Sequence, residues 1–326
     1  MFLARRSAAA LAVCLLGSIW PGAHAPAAQD FPTRTVKLVV PQTAGGTTDV
    51  LARAIAGKLG EKWKQNVIVE NIGGASGSIG TQQVSQAAPD GYTLLLTYEG
   101  SQAINPHVIP NQNFDAVKDF VPIATLARAG FLLIGSPNLP VNTFAEFLAL
   151  AREKPDGLTY GSAGAGSANH LIGEMLKSQA KVRVQHVPYR GIAQAITNVM
   201  GGQIDTAVVS IPSVIGQIQA GSVKALAVTS STRSSAAPNV PTAAESGLPG
   251  FDVTPWWGIL GPAKMDPRLA AKIAADLNGL LASEEMQAVF RKQGAEPFVT
   301  SSAEFGKLLA ADVEKWGKIV AAINLK

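Results

Sequence analysis

Cysteine is almost missing from this chain: the only one in 326 residues is Cys14. A lone thiol closes no intrachain disulfide, and thiolate metal sites and a cysteine nucleophile in the body of the chain are excluded with it. Charge is scarce too, at 15% of residues against roughly 25% in an average globular chain. The formal charge of +4 comes with no dense Lys/Arg stripe and no interleaved aromatics, so no nucleic-acid partner is expected. Neither a G-x-S-x-G elbow nor a G-K-[ST] phosphate loop occurs. Beyond the N-terminus the histidines are His107, His170 and His186, well separated along the chain, and no metal site is expected from them. No segment approaches 18 continuous apolar residues, so no membrane span is expected. No cofactor is expected either.

What is present begins with a leader. Residues 1–28 read as an export signal: Arg5 and Arg6, an apolar stretch from Ala8 to Trp20, then Ala23-His24-Ala25 as the small-x-small pattern for cleavage, placed between Ala25 and Ala28. The apolar run is too short to span about 30 Å of hydrocarbon. Twin-arginine export and a lipoprotein role for Cys14 are weaker readings, because the flanking residues match those patterns poorly. The mature chain is thus expected to be soluble, outside the cytoplasm and dependent on its core alone. Its length exceeds what a single core usually supports, so two lobes are expected.

The body alternates strand-like and helix-like stretches, which points to α/β layers. The stretch that organises it is Leu38-Val39-Val40-Pro41-Gln42-Thr43-Ala44-Gly45-Gly46-Thr47-Thr48-Asp49. A buried strand over 36–40 ends at Pro41, and a helix starts after the glycines, with Leu51, Ala54, Ile55 and Leu59 at helical spacing. The first N–H groups of such a helix are unpaired and carry partial positive charge, a setting that suits a carboxylate. Taken alone, this is equally well a tight βα connection. A second turn of the same kind, Gly161-Ser162-Ala163-Gly164-Ala165-Gly166-Ser167-Ala168-Asn169-His170, follows the strand at 158–160 and opens another helix. Two such turns, one per half, are what a two-lobed clamp needs. Further strands are expected at 66–70, 92–97, 131–135, 182–186, 206–210 and 223–229, with helices at 144–152, 192–200, 267–282 and 303–322. Pro255-Trp256-Trp257-Gly258 is taken as the start of a helical last part.

The motifs also carry a resemblance. Val40-Pro41 with Ala44-Gly45-Gly46 and Asp49, then Asn71-Ile72-Gly73-Gly74-Ala75-Ser76-Gly77 with Gly80, and Pro89-Asp90-Gly91-Tyr92-Thr93-Leu94 resemble the opening motifs of the tripartite tricarboxylate transporter receptors, also called Bug proteins. Tyr160-Gly161-Ser162-Ala163-Gly164 with Gly166, Ser167 and His170, His186-Val187-Pro188-Tyr189-Arg190-Gly191, Gly201-Gly202-Gln203-Ile204-Asp205, Leu226-Ala227-Val228-Thr229 and Pro241-Thr242-Ala243-Ala244-Glu245-Ser246-Gly247 are similar to the rest, in the same order. The resemblance implies a two-lobed periplasmic binding protein fold of type II-like form, each lobe a mainly parallel sheet flanked by helices. Lobe 1 would comprise 29–126 plus 250–326 and lobe 2 would comprise 127–249. It implies a receptor, not an enzyme, that closes on a small carboxylic acid and delivers it to a large and a small membrane subunit. A monomer is expected.

By position in that family, ligand contacts would come from Thr43, Gly45 and Gly46 of the first turn and from Ser162, Ala163, Gly164, Gly166 and Ser167 of the second. Gln42, Thr47, Tyr98 and Ser101 are expected beside them, and Asp205 is a further candidate. Asp49 is expected to cap its helix. Gln42 and Thr43 depart from the family's usual aromatic and its usual proline or small residue. Gln194 and Asn198 depart from a proline and an aspartate. Glu99 is read as a solvated rim charge, His170 as a hydrogen-bonded group behind the second turn, and Trp256-Trp257 as hinge-side packing, with one ring a candidate wall of the cleft; the turn at 71–80 is expected to face the same rim as the first turn. The alternatives are an exported hydrolase or transferase using Ser162 or Ser167, and a sensor that docks a membrane kinase.

Overall fold

The computed structural model describes residues 31–155, 157–292 and 294–323. The leader expected over residues 1–28 lies outside the described residues.

The first apolar run is β1 (Val36–Val40), and four of its five residues are buried. It lies between β2 (Val67–Asn71) and β3 (Thr93–Tyr98), parallel to both. The other strands are β4 (Phe120–Arg128), β5 (Phe131–Gly135), β6 (Thr159–Ser162), β7 (Gln185–Pro188), β8 (Thr206–Ser210), β9 (Lys224–Val228), β10 (Trp256–Pro262) and β11 (Glu296–Pro297). They form a six-stranded sheet, β11-β4-β10-β3-β1-β2, and a five-stranded one, β7-β6-β8-β5-β9. The helices are α1 (Thr47–Trp63), α2 (Ser78–Ser85), α3 (Asn105–Val108), α4 (Phe144–Glu153), α5 (Ala168–Ala180), α6 (Ile192–Met200), α7 (Ile215–Gln219), α8 (Pro267–Leu281), α9 (Glu284–Lys292) and α10 (Ser302–Ile323). No helix among the described residues is long and apolar enough to cross a membrane.

Neither sheet is mainly parallel, contrary to the sequence-based expectation. β10 runs antiparallel to β3 and β4, and β5 runs antiparallel to β8 and β9. Each sheet is parallel where βαβ units build it and antiparallel where the chain crosses over. The first crossing joins β4 to β5 through residues 129 and 130, and the return runs from β9 to β10. Trp256-Trp257 therefore opens a central strand instead of a helical tail, with both indoles 2% exposed. One continuous apolar cluster runs from Leu38 and Leu96 in the first sheet to Phe131, Leu133 and Tyr160 in the second and Phe144 of α4. Gly80 sets the seat of α2: a Cβ there would stand 2.6 Å from the Ile72 carbonyl and 3.0 Å from Pro41 Cα, so only glycine lets that helix approach the first turn.

Candidate functional site

Turns at the carboxyl ends of β1, β2, β6 and β7, together with α5, open onto one crevice of about 460 Å³ between the two sheets. In open α/β sheets ligands bind at that edge. Helix α1 begins at Thr47 with Gly46 before it and no side-chain cap, so its first amides keep their donors. Across the crevice α5 begins after Ser167, whose Oγ accepts the His170 amide at 3.3 Å. The two halves already touch: Thr47 Oγ1 lies 2.5 Å from Ser210 Oγ, and the Gly191 backbone runs beside Thr43 Oγ1. Gly164, with φ of +125°, bends the second turn toward the opening in a conformation side-chain-bearing residues rarely adopt.

Of the residues expected from the sequence, Gln42, Thr43, Gly46, Thr47, Tyr98, Ala163, Gly164 and Ser167 line this crevice. Thr48 Oγ1 accepts from Trp257 Nε1 at 3.0 Å and donates to Gln42 Oε1, fixing the amide at the crevice floor. The Tyr98 phenol stands beside Gln42 and Ser101, and its burial raises its pKa above the ordinary value.

Five expected residues lie elsewhere, each for a visible reason. The Gly45 amide donates to Asp49 Oδ2 at 3.0 Å and is not offered to a ligand. Burial pushes the Asp49 carboxyl up, but hydrogen bonds from Arg53 and the Gly45 amide outweigh it and hold the group below its usual value. The Gly166 amide is likewise taken, by His170 Nδ1 at 3.0 Å. Ser101 is fully buried, with the Gly77 backbone packed close against its hydroxyl. Ser162 is fully buried under its own turn. Its hydroxyl accepts the Gly164 amide at 3.1 Å and lies 2.7 Å from His186 Nε2. That pairing has the spacing of a nucleophile and its base, but the hydroxyl does not reach the crevice. Asp205 sits at the opposite end of the strands, where its Oδ2 accepts from the Thr159 amide at 2.9 Å and the Thr159 hydroxyl at 2.8 Å.

Two further readings are corrected. Glu99 is no rim charge: it is 4% exposed and accepts from Trp316 Nε1, while the neighbouring Asp312 accepts from Trp256 Nε1 at 2.8 Å. Burial, and then the Asp312 carboxylate, push Glu99 up to about 7. The histidines are not all dispersed: the His170 and His186 rings stack with centroids 3.9 Å apart, and Glu174 stands 3.9 Å from His170. No cluster of three potential metal ligands occurs among the described residues.

Several lining residues were not among the expected ligand contacts: the Gly73–Gly77 turn, expected only to face the same rim, Trp257, whose ring was only a candidate wall of the cleft, and Asn169, Tyr189 to Ile192 and Ser210. The Tyr189 turn is likewise a post-strand loop, which is the signal that could have found it. Asn169 and Trp257 enter from a helix and a strand, and their direction is set by packing. Among the described lining residues none is acidic, and Arg190 is the one charged side chain. An interior with helix amides, hydroxyls and one guanidinium, but no carboxylate, accepts anions and leaves an ammonium group without a charged partner.

Comparison with known proteins agrees with this arrangement. Residues 51–325 match the family model described as the tripartite tricarboxylate transporter family receptor. The chain is 30% identical to Protein BugT of Bordetella pertussis over 307 residues, 94% of each chain. A solved R. palustris structure with adipate superposes with a TM-score of 0.88 at 32% identity, covering 90% of this chain and 98% of that one. MatC from Rhodopseudomonas palustris, with bound malate, gives 0.83 at 30% identity, covering 89% and 100%. This chain belongs to the tripartite tricarboxylate transporter receptor family, the Bug proteins.

Proposed function

We propose that the protein is an exported receptor that takes a small carboxylic acid into the crevice by lobe closure and hands it to the large and small subunits of a membrane transporter. The observation that carries this reading is the pair of helix starts, α1 and α5, facing one crevice that holds no acidic side chain. The acid's carboxylate is held by Gly46, Thr47, Ala163 and the first amides of α5, with Thr43 and Gln42 at its side. Relatives solved with adipate and with malate support a carboxylate as the ligand. The leader over residues 1–28 supports a periplasmic location. The receptor works as a monomer and carries out no reaction.

A thermal-shift panel of small mono-, di- and tricarboxylates tests this. Selective binding to the native state raises apparent stability by about 2.7 kcal/mol at a hundredfold excess over Kd. Gly46→Val is the matched control. Its backbone, with φ of −82°, accepts a side chain, and a Cβ there meets only Thr43 O at 3.8 Å, so the fold survives while the crevice is obstructed. At least one acid should stabilise the native protein, and Gly46→Val should lose most of that shift. No shift from any acid, or ester or amide hydrolysis that disappears in Ser162→Ala, would overturn the reading.

A further inference from the structure

Two histidines outside the crevice have no role in the reading above, yet both hold the second turn. The Gly166 amide donates to His170 Nδ1 at 3.0 Å. An amide hydrogen always donates, so Nδ1 must be bare and the proton of the neutral ring sits on Nε2. That nitrogen faces Glu174 Oε1 at 3.9 Å, and the same oxygen receives the Tyr160 hydroxyl at 2.6 Å and Lys177 Nζ at 2.8 Å. The ring is pinned by stacking on His186, which leans in turn on Tyr160 with centroids 4.9 Å apart. His186 Nε2 lies 2.7 Å from Ser162 Oγ, and Ser162 Oγ accepts the Gly164 amide at 3.1 Å. Each imidazole thus anchors one amide of the turn, His170 directly at Gly166 and His186 through Ser162 at Gly164. Gly164 and Gly166 both have positive φ, at +125° and +77°, so the turn has no regular backbone ladder to fix its shape.

We propose that His170 and His186 are positioning residues for anion capture: by each holding one glycine amide of the second turn from behind, they leave Ala163, Ala165 and the start of α5 turned toward the ligand. This rests on the carboxylate reading of the crevice. The two anchors use different ring nitrogens, and that gives opposite requirements. An Asn carboxamide reaches the place of Nδ1, and a Gln carboxamide reaches the place of Nε2. Asn should therefore replace His170 and fail at His186, and Gln should replace His186 and fail at His170. A role in bulk packing would not invert between the two positions.

The test measures calorimetric affinity for whichever of adipate, malate and citrate gives the wild-type chain its largest thermal shift. The variants are His170→Asn, His170→Gln, His186→Gln and His186→Asn, with thermal midpoints recorded as folding controls. His170→Asn and His186→Gln should stay within about threefold of wild type, and the other two should weaken binding by about tenfold, the scale of one hydrogen bond. A ligand-free arm looks for the scalar coupling across the Gly166 N–H to His170 Nδ1 bond in ¹⁵N-labelled wild-type protein. Detection supports the proposal even where none of the three acids binds, an outcome that would count against the carboxylate reading alone. Absence of the coupling, equal affinities for Asn and Gln at both positions, or binding lost in Gly46→Val but kept in His170→Gln would overturn the positioning role.

Discussion

Tyr98 and Glu99 are neighbours at the end of β3, and a half-turn of backbone sends one to the crevice and the other into the core. Glu99 ends beside Asp312, each carboxyl held by an indole N–H, in a place where a charge is poorly solvated. Its folded pKa, pushed up to about 7, stands above the usual carboxylate range. A raised acid pKa favours the protonated form on folding, so its contribution is full below the unfolded value and is lost as pH climbs toward 7. Glu99→Gln keeps an acceptor for Trp316 and removes the titration. It should be more stable than wild type at pH 8 by roughly 1–3 kcal/mol and close to wild type at pH 4, as urea midpoints across pH would reveal. A constant difference across that range would contradict the buried-acid account.

Among the elements, β4 and β10 show how far a local pattern reaches. β4 is nine residues long and mostly buried, and β10 is buried throughout, so neither has the two-residue alternation that marks a half-exposed strand. Helix α4, by contrast, carries its own signature. The Thr143 hydroxyl accepts the Glu146 amide, and the Glu146 carboxylate accepts the Thr143 amide, closing a capping box. Because α4 does not line the crevice, Thr143→Ala should lower unfolding free energy by about 1 kcal/mol and leave ligand affinity unchanged. Calorimetric titration alongside denaturant unfolding separates the two quantities.

For the molecule as a whole, function depends on two sheets joined by the short β4–β5 crossing and the long β9–β10 return. A ligand that touches both turns stabilises only the arrangement in which they face each other. The Thr47–Ser210 hydroxyl pair spans that same gap, Thr47 from the start of α1 and Ser210 from the end of β8. In a double-mutant cycle of Thr47→Ala and Ser210→Ala, the two sites should show a coupling of about 0.5–1.5 kcal/mol in ligand affinity. Additive effects on affinity would mean that this contact does not belong to the ligand-holding arrangement.

The sequence by itself determined the α/β class and both glycine-lined turns, because strand, glycine turn and helix start are written in contiguous residues such as Val36 to Leu51. Asp49, expected to cap its helix, instead accepts the Gly45 amide just before the helix start, and α1 keeps no side-chain cap. Tertiary structure alone decided which of the turn residues open onto the crevice. Gly45 and Gly166 have the right chemistry, but their amides are spent on Asp49 and on His170. Ser162, Asp205 and Glu99 were decided by partners 24, 46 and 217 residues away in the chain, in His186, Thr159 and Trp316. The first two pairs are brought together by strand pairing within the second sheet and the third by α10 packing beside the end of β3, and no local spacing encodes them.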